Sequence, residues 1–330
     1  MNNPEIYPRG SLLFAPMEGV TDPAYRSAIQ KLYPEWDYLC TDFLRVPTQG
    51  HYTQSKLLKH FGEKLFDSQV HKQKTGYQIL TSYRAQTQQT VEKLQDMGMR
   101  HLDLNLGCPS KKVNAHLGGA YLLAHPEILR EIIQTIRQNF KGNFTVKMRT
   151  GYKDTDLFLY LIKMFEDEGV EAITIHGRTR DQLYKGVADW EPIRQAVQTV
   201  SIPVIGNGDL WSVDDIMEMF KQTQCHAVML GRGAMKTPWL AQLYQRFKNS
   251  PGQLNEVYLL EERKKSLQDY FETLEEEYSA IDVNSDAILK RFKSLSRHLF
   301  DDFDEPEQTR STFLRSRTLD HFKEHLCHLH

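Results

Sequence analysis

Eight short β-branched or apolar runs, each closed by Gly, Asn, Asp or Pro, constrain the fold of this 330-residue chain more than any other feature. They read as strands at Ser11–Ala15, Tyr38–Thr41, Gly76–Leu80, His101–Asn105, Phe144–Met148, Ala172–His176, Pro203–Gly206 and Ala227–Gly231. Amphipathic stretches lie between them. Thr87 to Met97 puts Val91, Leu94 and Met97 on one face, Pro126 to Phe140 spaces Ile128, Ile132, Ile136 and Phe140 helically, and Asp156 to Gly169 repeats the pattern with Phe158, Ile162 and Phe165. Strands alternating with helices require a parallel sheet, and eight such units in about 230 residues predict a (β/α)8 TIM barrel. The polar stretch from Val46 to Lys74 is too long for a simple crossover and reads as an insertion or mobile loop.

After Pro238-Trp239 the strand pattern stops, Asn249-Ser250-Pro251-Gly252 has linker chemistry, and the remainder reads as helices only: Leu254–Tyr278, Ser285–Phe300 and Glu307–His325. The expected organisation is a catalytic barrel over residues 1–246 and a smaller all-helical domain over 253–330. No apolar run reaches the ~20 residues of a membrane span. The run Leu12 to Met17 is too short for a secretory signal, and the four scattered cysteines form no CxxC pair, which points to a reducing cytoplasm and against export, a disulfide framework and a cysteine-rich zinc site. The 41 Lys+Arg against 43 Asp+Glu, net −2, taken alone argue against a nucleic-acid partner. From residue 247 onward, however, the count is 12 against 17, which leaves the barrel mildly basic at 29 against 26.

Active sites of such barrels gather at the C-terminal ends of the strands. Those ends here carry Pro16-Met17, Asp42, Gln78, Asn105 with Cys108, Lys147 and Arg149, His176, Asn207-Gly208-Asp209, and Gly231-Arg232. The glycines after strands seven and eight suit a phosphate, to which Arg232 adds a cation; two tight turns would also require them. Lys147 and His176 end consecutive strands and can face one bound ring, where Lys147 would stabilise negative charge on an electron-rich heterocycle. Pairing with a carboxylate is the plainer alternative for that lysine. Cys108, with Gly107 before it and Pro109 after it, sits on a rigid loop directly after a strand. An ordinary thiol is mostly protonated at neutral pH and can serve as an acid, whereas Cys40 and Cys225 read as buried small hydrophobes.

These segments together resemble the tRNA-dihydrouridine synthases. The resemblance is carried by Ala15-Pro16-Met17-Glu18-Gly19-Val20-Thr21-Asp22, Gln78, Asn105-Leu106-Gly107-Cys108-Pro109, Gly118-Gly119-Ala120-Tyr121-Leu122-Leu123, Val146-Lys147-Met148-Arg149, His176-Gly177-Arg178-Thr179, Asn207-Gly208-Asp209 and Gly231-Arg232-Gly233-Ala234. It implies FMN, reduced by NADPH or NADH, delivering hydride from flavin N5 to uracil C6 in tRNA, with Cys108 protonating C5. It further implies that Pro16, Met17, Glu18, Gln78, Lys147 and His176 hold the flavin ring and that Asn207, Gly208, Asp209, Gly231 and Arg232 hold its phosphate. Asn105, Arg149, Arg178 and Tyr184 become candidates for the uridine, which must be flipped out to reach such a site. Where many relatives read Gly-Asn-Pro-Trp, this chain has Met235-Lys236-Thr237-Pro238-Trp239, so the subfamily stays open.

In the tail, Lys290, Lys293 and Arg297 form a helical stripe, with Arg310, Arg315 and Arg317 beyond it; the stripe reads as a phosphate-tracking face or as solvated surface. The His-rich end, with His321 and His325 one turn apart, is expected to hold no functional metal. The expectation is a cytoplasmic monomer acting on tRNA. Competing readings are a flavin barrel acting on a free pyrimidine such as dihydroorotate, a non-flavin phosphate-binding isomerase, and an RNA-binding module without catalysis.

Overall fold

Alternating side chains build the barrel from the inside. In the computed structural model, which describes residues 6–82, 85–250, 260–301, 303 and 305–329, the strands are β1 (Leu12–Phe14), β2 (Leu39–Cys40), β3 (Leu44–Arg45), β4 (Thr75–Leu80), β5 (His101–Leu106), β6 (Asn143–Arg149), β7 (Ala172–His176), β8 (Val204–Asn207) and β9 (Ala227–Leu230). All pair in parallel in the order β1-β9-β8-β7-β6-β5-β4-β2, with β3 continuing alongside β4. A parallel bridge between Leu13 and Tyr38 brings β1 to β2, so eight strand positions make a nearly closed (β/α)8 barrel. The expected strands agree with these to within a residue or two. Successive side chains of a strand point to opposite faces, and Leu13, Ala15, Tyr38, Ala172, Ile205, Ala227 and Met229 pack together with Tyr7 into one buried cluster.

The chain divides into two compact units. The first comprises residues 1–23, 37–210 and 214–230 and contains the barrel; the second comprises 24–36, 211–213 and 231–330. In the first, helices Thr87–Asp96, Pro126–Asn139 and Phe158–Asp167 fall where the periodicity put them. The stripe of Pro126–Asn139 is Leu129, Ile132, Ile133 and Ile136, with Ile128 only half buried. The Val46–Lys74 stretch folds into three short helices, Gln54–Phe61, Glu63–Asp67 and Gln69–Lys74, anchored by buried Leu57, Phe61 and Leu65.

The second unit is helical, with Leu260–Ser279, Ser285–Ser296, Pro306–Arg315 and Leu319–Cys327 around a core of Phe271, Phe292, Phe313 and Phe322. Their ring centroids lie 4.8–5.3 Å apart. The single helix expected over Glu307–His325 is two, because Thr318 takes an extended conformation and its side chain accepts from the His321 N–H, starting a new helix. Pro251 and Gly252 of the expected linker, and residues 254–259 of the first expected tail helix, lie outside the described residues. Among the described residues no helix is long and apolar enough to cross a membrane.

Candidate active site

The register of the parallel strands stacks the polar side chains of the barrel in layers. Gln78, Asp103 and Thr145 are aligned on β4, β5 and β6; Asn105 pairs with Lys147 one layer higher; and Arg149, His176, Asn207 and Met229 align above that. The lower layer is closed to solvent. Asp103 accepts from Gln78 Nε2 at 2.7 Å and from Thr145 Oγ1 at 2.6 Å. Burial pushes its carboxyl up to about 6, against the pull of those two hydrogen bonds and of the Lys147 charge. Asp103 and Thr145 lie inside their strands, beneath the ends where barrel active sites gather, and were not among the expected residues; the alternation of polar and leucine residues in His101-Leu102-Asp103-Leu104-Asn105-Leu106 is the signal that marks Asp103.

Gln78, fully buried, also accepts from Asn105 Nδ2 at 2.8 Å. Asn105 in turn folds the chain beyond β5: its Oδ1 accepts from the Gly107 and Cys108 N–H groups at 3.1 and 2.9 Å. Asn114 Nδ2 grips the far side of the same loop, donating to the Cys108 and Ser110 carbonyls at 3.1 and 2.7 Å. Gly119 packs behind it with φ +61°, where a Cβ would lie 3.0 Å from Val113 Cγ1 and 3.4 Å from Cys108 Cβ. Cys108 is thus held on a turn fixed from both flanks. Burial pushes its thiol up, as does the Glu18 carboxylate, while the Ser110 backbone, Arg45 and Arg149 pull it down; the net direction is upward. A thiol raised above its ordinary value stays protonated at neutral pH.

The neighbouring strand β6 carries two cations, Lys147 and Arg149. Lys147 Nζ donates to Asn207 Oδ1 at 3.1 Å, and Asn207 Nδ2 donates to the Met229 carbonyl at 2.6 Å. Burial and the nearby Arg149 lower the Lys147 ammonium to about 8, against the attraction of Asp103. Arg149 donates to the carbonyls of Gly107, Thr179 and Leu183 at 2.8–2.9 Å, with its guanidinium carbon 5.4 Å from the centre of the exposed Tyr184 ring. The Tyr184 ring meets that of His176 edge-on at 6.4 Å. The structure therefore brings together Asn105, Cys108, Lys147, Arg149, His176, Tyr184 and Asn207.

Other expected residues are placed differently. Arg178, 2% exposed, binds Asp209 through both terminal nitrogens at 2.9 and 2.6 Å and also reaches the Lys185 and Gly186 carbonyls. It holds a loop rather than presenting its charge to solvent. Asp209, with φ +54°, also accepts from the Ala188 N–H. Gly208 has φ +126°, and a Cβ there would meet Ala188 Cβ at 2.8 Å, so this glycine is required by the turn. Pro16 and Met17 are half buried and Glu18 exposed on a turn in which Met17 N–H donates to Thr21 Oγ1. In the second unit, Gly231 precedes the helix Arg232–Lys236, and the Arg232 guanidinium carbon lies 4.9 Å from the Trp211 ring centre. Lys290 and Arg297 are exposed and Lys293 half buried, whereas Arg310 is engaged by Asp301 and Glu307. The rings of His321 and His325 are 4.4 Å apart.

A parallel barrel that collects titratable groups at the C-terminal ends of its strands places this protein among the TIM-barrel enzymes. The particular family follows from comparison: residues 13–326 match the dihydrouridine synthase (Dus) family, and the chain belongs to it. It is similar to the tRNA-dihydrouridine(16) synthase of Ralstonia nicotianae, with 33% identity over 237 residues, 70% of this chain and 71% of the relative. It is equally similar to the tRNA-dihydrouridine synthase B of Proteus vulgaris, with 34% identity over 243 residues, 72% of each.

Proposed function

We propose that this enzyme reduces uridine to 5,6-dihydrouridine in tRNA, using FMN and a nicotinamide reductant, NADPH or NADH. The observation that carries the reading is the Cys108 loop, which holds the thiol beyond the C-terminal end of β5, where burial favours its protonated form and Arg149 bonds the adjacent Gly107 carbonyl. The donor set fits a flavin: an imidazole and a carboxamide aligned at neighbouring strand ends, with a half-buried ammonium reaching that carboxamide from the layer below, suit a heterocycle that gains negative charge on reduction. Lys147, His176 and the turn at Pro16, Met17 and Glu18 would hold the ring, with Gln78 and Asn105 behind them. When bound, FMN supplies the hydride that the reduction requires.

The chain's own residues account for the rest. Cys108 Sγ holds the proton that C5 receives, and its raised pKa keeps that proton in place until the base is seated. Reduction at C6 leaves enolate-like charge running toward the C4 oxygen, and cationic donors at the mouth lower its energy. Arg149 meets that need, since its hydrogen bonds to Gly107, Thr179 and Leu183 go to neutral carbonyls and leave its charge uncancelled. A stacked base cannot reach the mouth of a barrel, so the uridine must be flipped out, and the exposed Tyr184 ring offers it a surface to stack on. The helical second unit, with its exposed Lys290, Arg297, Arg315 and Arg317, is the tRNA-binding element in this reading.

The test is direct. The purified protein loaded with FMN, given NADPH and tRNA lacking dihydrouridine, is expected to form the modified nucleoside, detected by mass spectrometry. Cys108→Ala is expected to bind FMN and accept hydride from NADPH, yet to lose at least about 100-fold in dihydrouridine formation, the usual contribution of a general acid. Full yield from that variant removes Cys108 from the acid role, and failure to bind FMN removes the flavin reading.

A further inference from the structure

The hydrogen bonds behind the cysteine loop have a direction. A carboxamide has one donating end and one accepting end, whereas an ionised carboxylate only accepts. Gln78 turns its Nε2 to Asp103 and therefore its Oε1 to Asn105; Asn105 turns its Nδ2 to Gln78 and therefore its Oδ1 to the N–H groups of Gly107 and Cys108. Every link is 3.1 Å or shorter, and Gln78, Asp103 and Asn105 are each no more than 9% exposed. Reversing Asn105 would set donor against donor at the Gly107 and Cys108 backbone, and reversing Gln78 would set donor against donor at Asn105 and acceptor against acceptor at Asp103. The backbone N–H donors fix the chain at its outer end, and the acceptor-only carboxylate of Asp103 fixes it at the inner end.

We propose that Asp103 is a positioning residue for the reaction at Cys108: its acceptor-only carboxylate locks the inner end of the Gln78–Asn105 chain and so orders the loop that aims the thiol. The inference deepens the proposed function and rests on it for the role of Cys108, but the order of the loop can be measured without turnover. Thr145 holds the other oxygen of Asp103 and keeps the carboxylate facing Gln78. With its carboxyl at about 6, Asp103 is mainly ionised at neutral pH, as the directional role requires. Buried chains of this kind act cooperatively, so a change at Asp103 is felt two side chains away.

Asp103→Asn is nearly isosteric and removes only the directional constraint, since an asparagine can donate or accept toward Gln78. Combining it with Gln78→Glu moves the acceptor-only group one place along the chain, and Asn105 is again forced to donate inward and accept from Cys108. The readout is alkylation of Cys108 by iodoacetamide in the FMN-loaded enzyme, followed by mass spectrometry in a Cys327→Ser background, because Cys327 is the exposed cysteine. Asp103→Asn is expected to raise Cys108 alkylation at least about threefold, as a loop whose buried chain ends on a weaker, neutral acceptor that can turn either way opens more often. The double variant is expected to return to the original rate. In tRNA turnover the single variant should lower kcat with little change in KM, because binding is left intact while the acid is misaligned. An unchanged alkylation rate in Asp103→Asn overturns the proposal, and so does a raised rate that the double variant fails to restore, which would make Asp103 a packing residue. If Asp103→Asn does not fold, Thr145→Val, which removes one of the two donors to the carboxylate, is expected to raise alkylation by a smaller factor; no rise there also overturns it. Absence of dihydrouridine from the unaltered enzyme would instead count against the proposed function, leaving the alkylation comparison to decide the role of Asp103.

Discussion

The buried pair of Arg178 and Asp209 separates a structural role from a substrate-binding one, and Asp209→Asn is the perturbation that does so. Asp209 sits at φ +54°, a conformation asparagine adopts readily, so the backbone is undisturbed. The variant removes one charge of a pair whose arginine side chain is 1% exposed and whose carboxylate is 16% exposed. Breaking a buried pair from one side costs about 3–5 kcal/mol, because the remaining charge is stranded. Bonds from Arg178 to the Lys185 and Gly186 carbonyls solvate part of that charge, which places the expected loss near the lower end, about 3 kcal/mol. For a unit of this size that is roughly 6–12 °C in melting temperature. Urea unfolding monitored by circular dichroism measures it, and the Arg178→Gln, Asp209→Asn double variant should lose much less than the sum of the two singles. A loss below about 1 kcal/mol, the scale of an exposed ion pair, would refute the structural reading. Stability unchanged with a raised KM for tRNA would return Arg178 to the uridine site that the sequence resemblance implied.

Gly119→Ala should destabilise the barrel unit by about 1–3 kcal/mol and raise Cys108 alkylation, since φ +61° disfavours any Cβ and the added methyl presses on Val113 and Cys108; thermal melts and the same mass spectrometry check both. Lys147 holds fewer protons folded than unfolded between about 8 and 10.5, so its contribution to stability grows with pH across that window and is lost as pH falls through 8. The same deprotonation removes a cation from the mouth, so FMN affinity, followed by flavin fluorescence, should weaken as pH rises through about 8; Lys147→Arg should shift that decline beyond the measured range. Phe313→Ala should cost the helical unit about 3–5 kcal/mol in chemical unfolding, as Phe313 is 1% exposed and touches both Phe300 and Phe322.

The barrel was legible because its strands are short, apolar and closed by turn residues, so periodicity and punctuation mark the same boundaries. The loop of Cys108 was legible for a related reason: a polar strand end followed by Gly-Cys-Pro leaves little freedom to the backbone. What escaped depends on pairs distant in sequence. That Arg178 is engaged by Asp209, 31 residues away, follows from the register of β7 against β8 and not from either local motif. Asp103 escaped because it lies one layer beneath the strand ends, where the sequence carries no turn residue to mark it. The polar composition of Val46–Lys74 concealed Leu57 and Phe61, whose one-turn spacing builds the first helix of the insertion. The break at Ser316-Arg317-Thr318 was written in a capping threonine that the apolar periodicity of the tail overrode.

The near-balance of charge takes its meaning from these pairs. Arg130, Arg137 and Arg178 face Glu168, Glu171 and Asp209 within the barrel unit, and Arg310 faces Asp301 and Glu307 in the helical one, so much of the basic content is cancelled locally. Lys147 and Arg149 are treated differently: the first donates to a carboxamide, the second to three backbone carbonyls, all neutral acceptors. A neutral acceptor fixes the direction of a cation without cancelling its charge, and in a half-buried mouth that charge acts at greater strength than it would in water. Net charge therefore says little about what this chain binds. What matters is which cations are paired with carboxylates and which are aimed by neutral groups, and Arg149, aimed by carbonyls, is among the charges that act on Cys108.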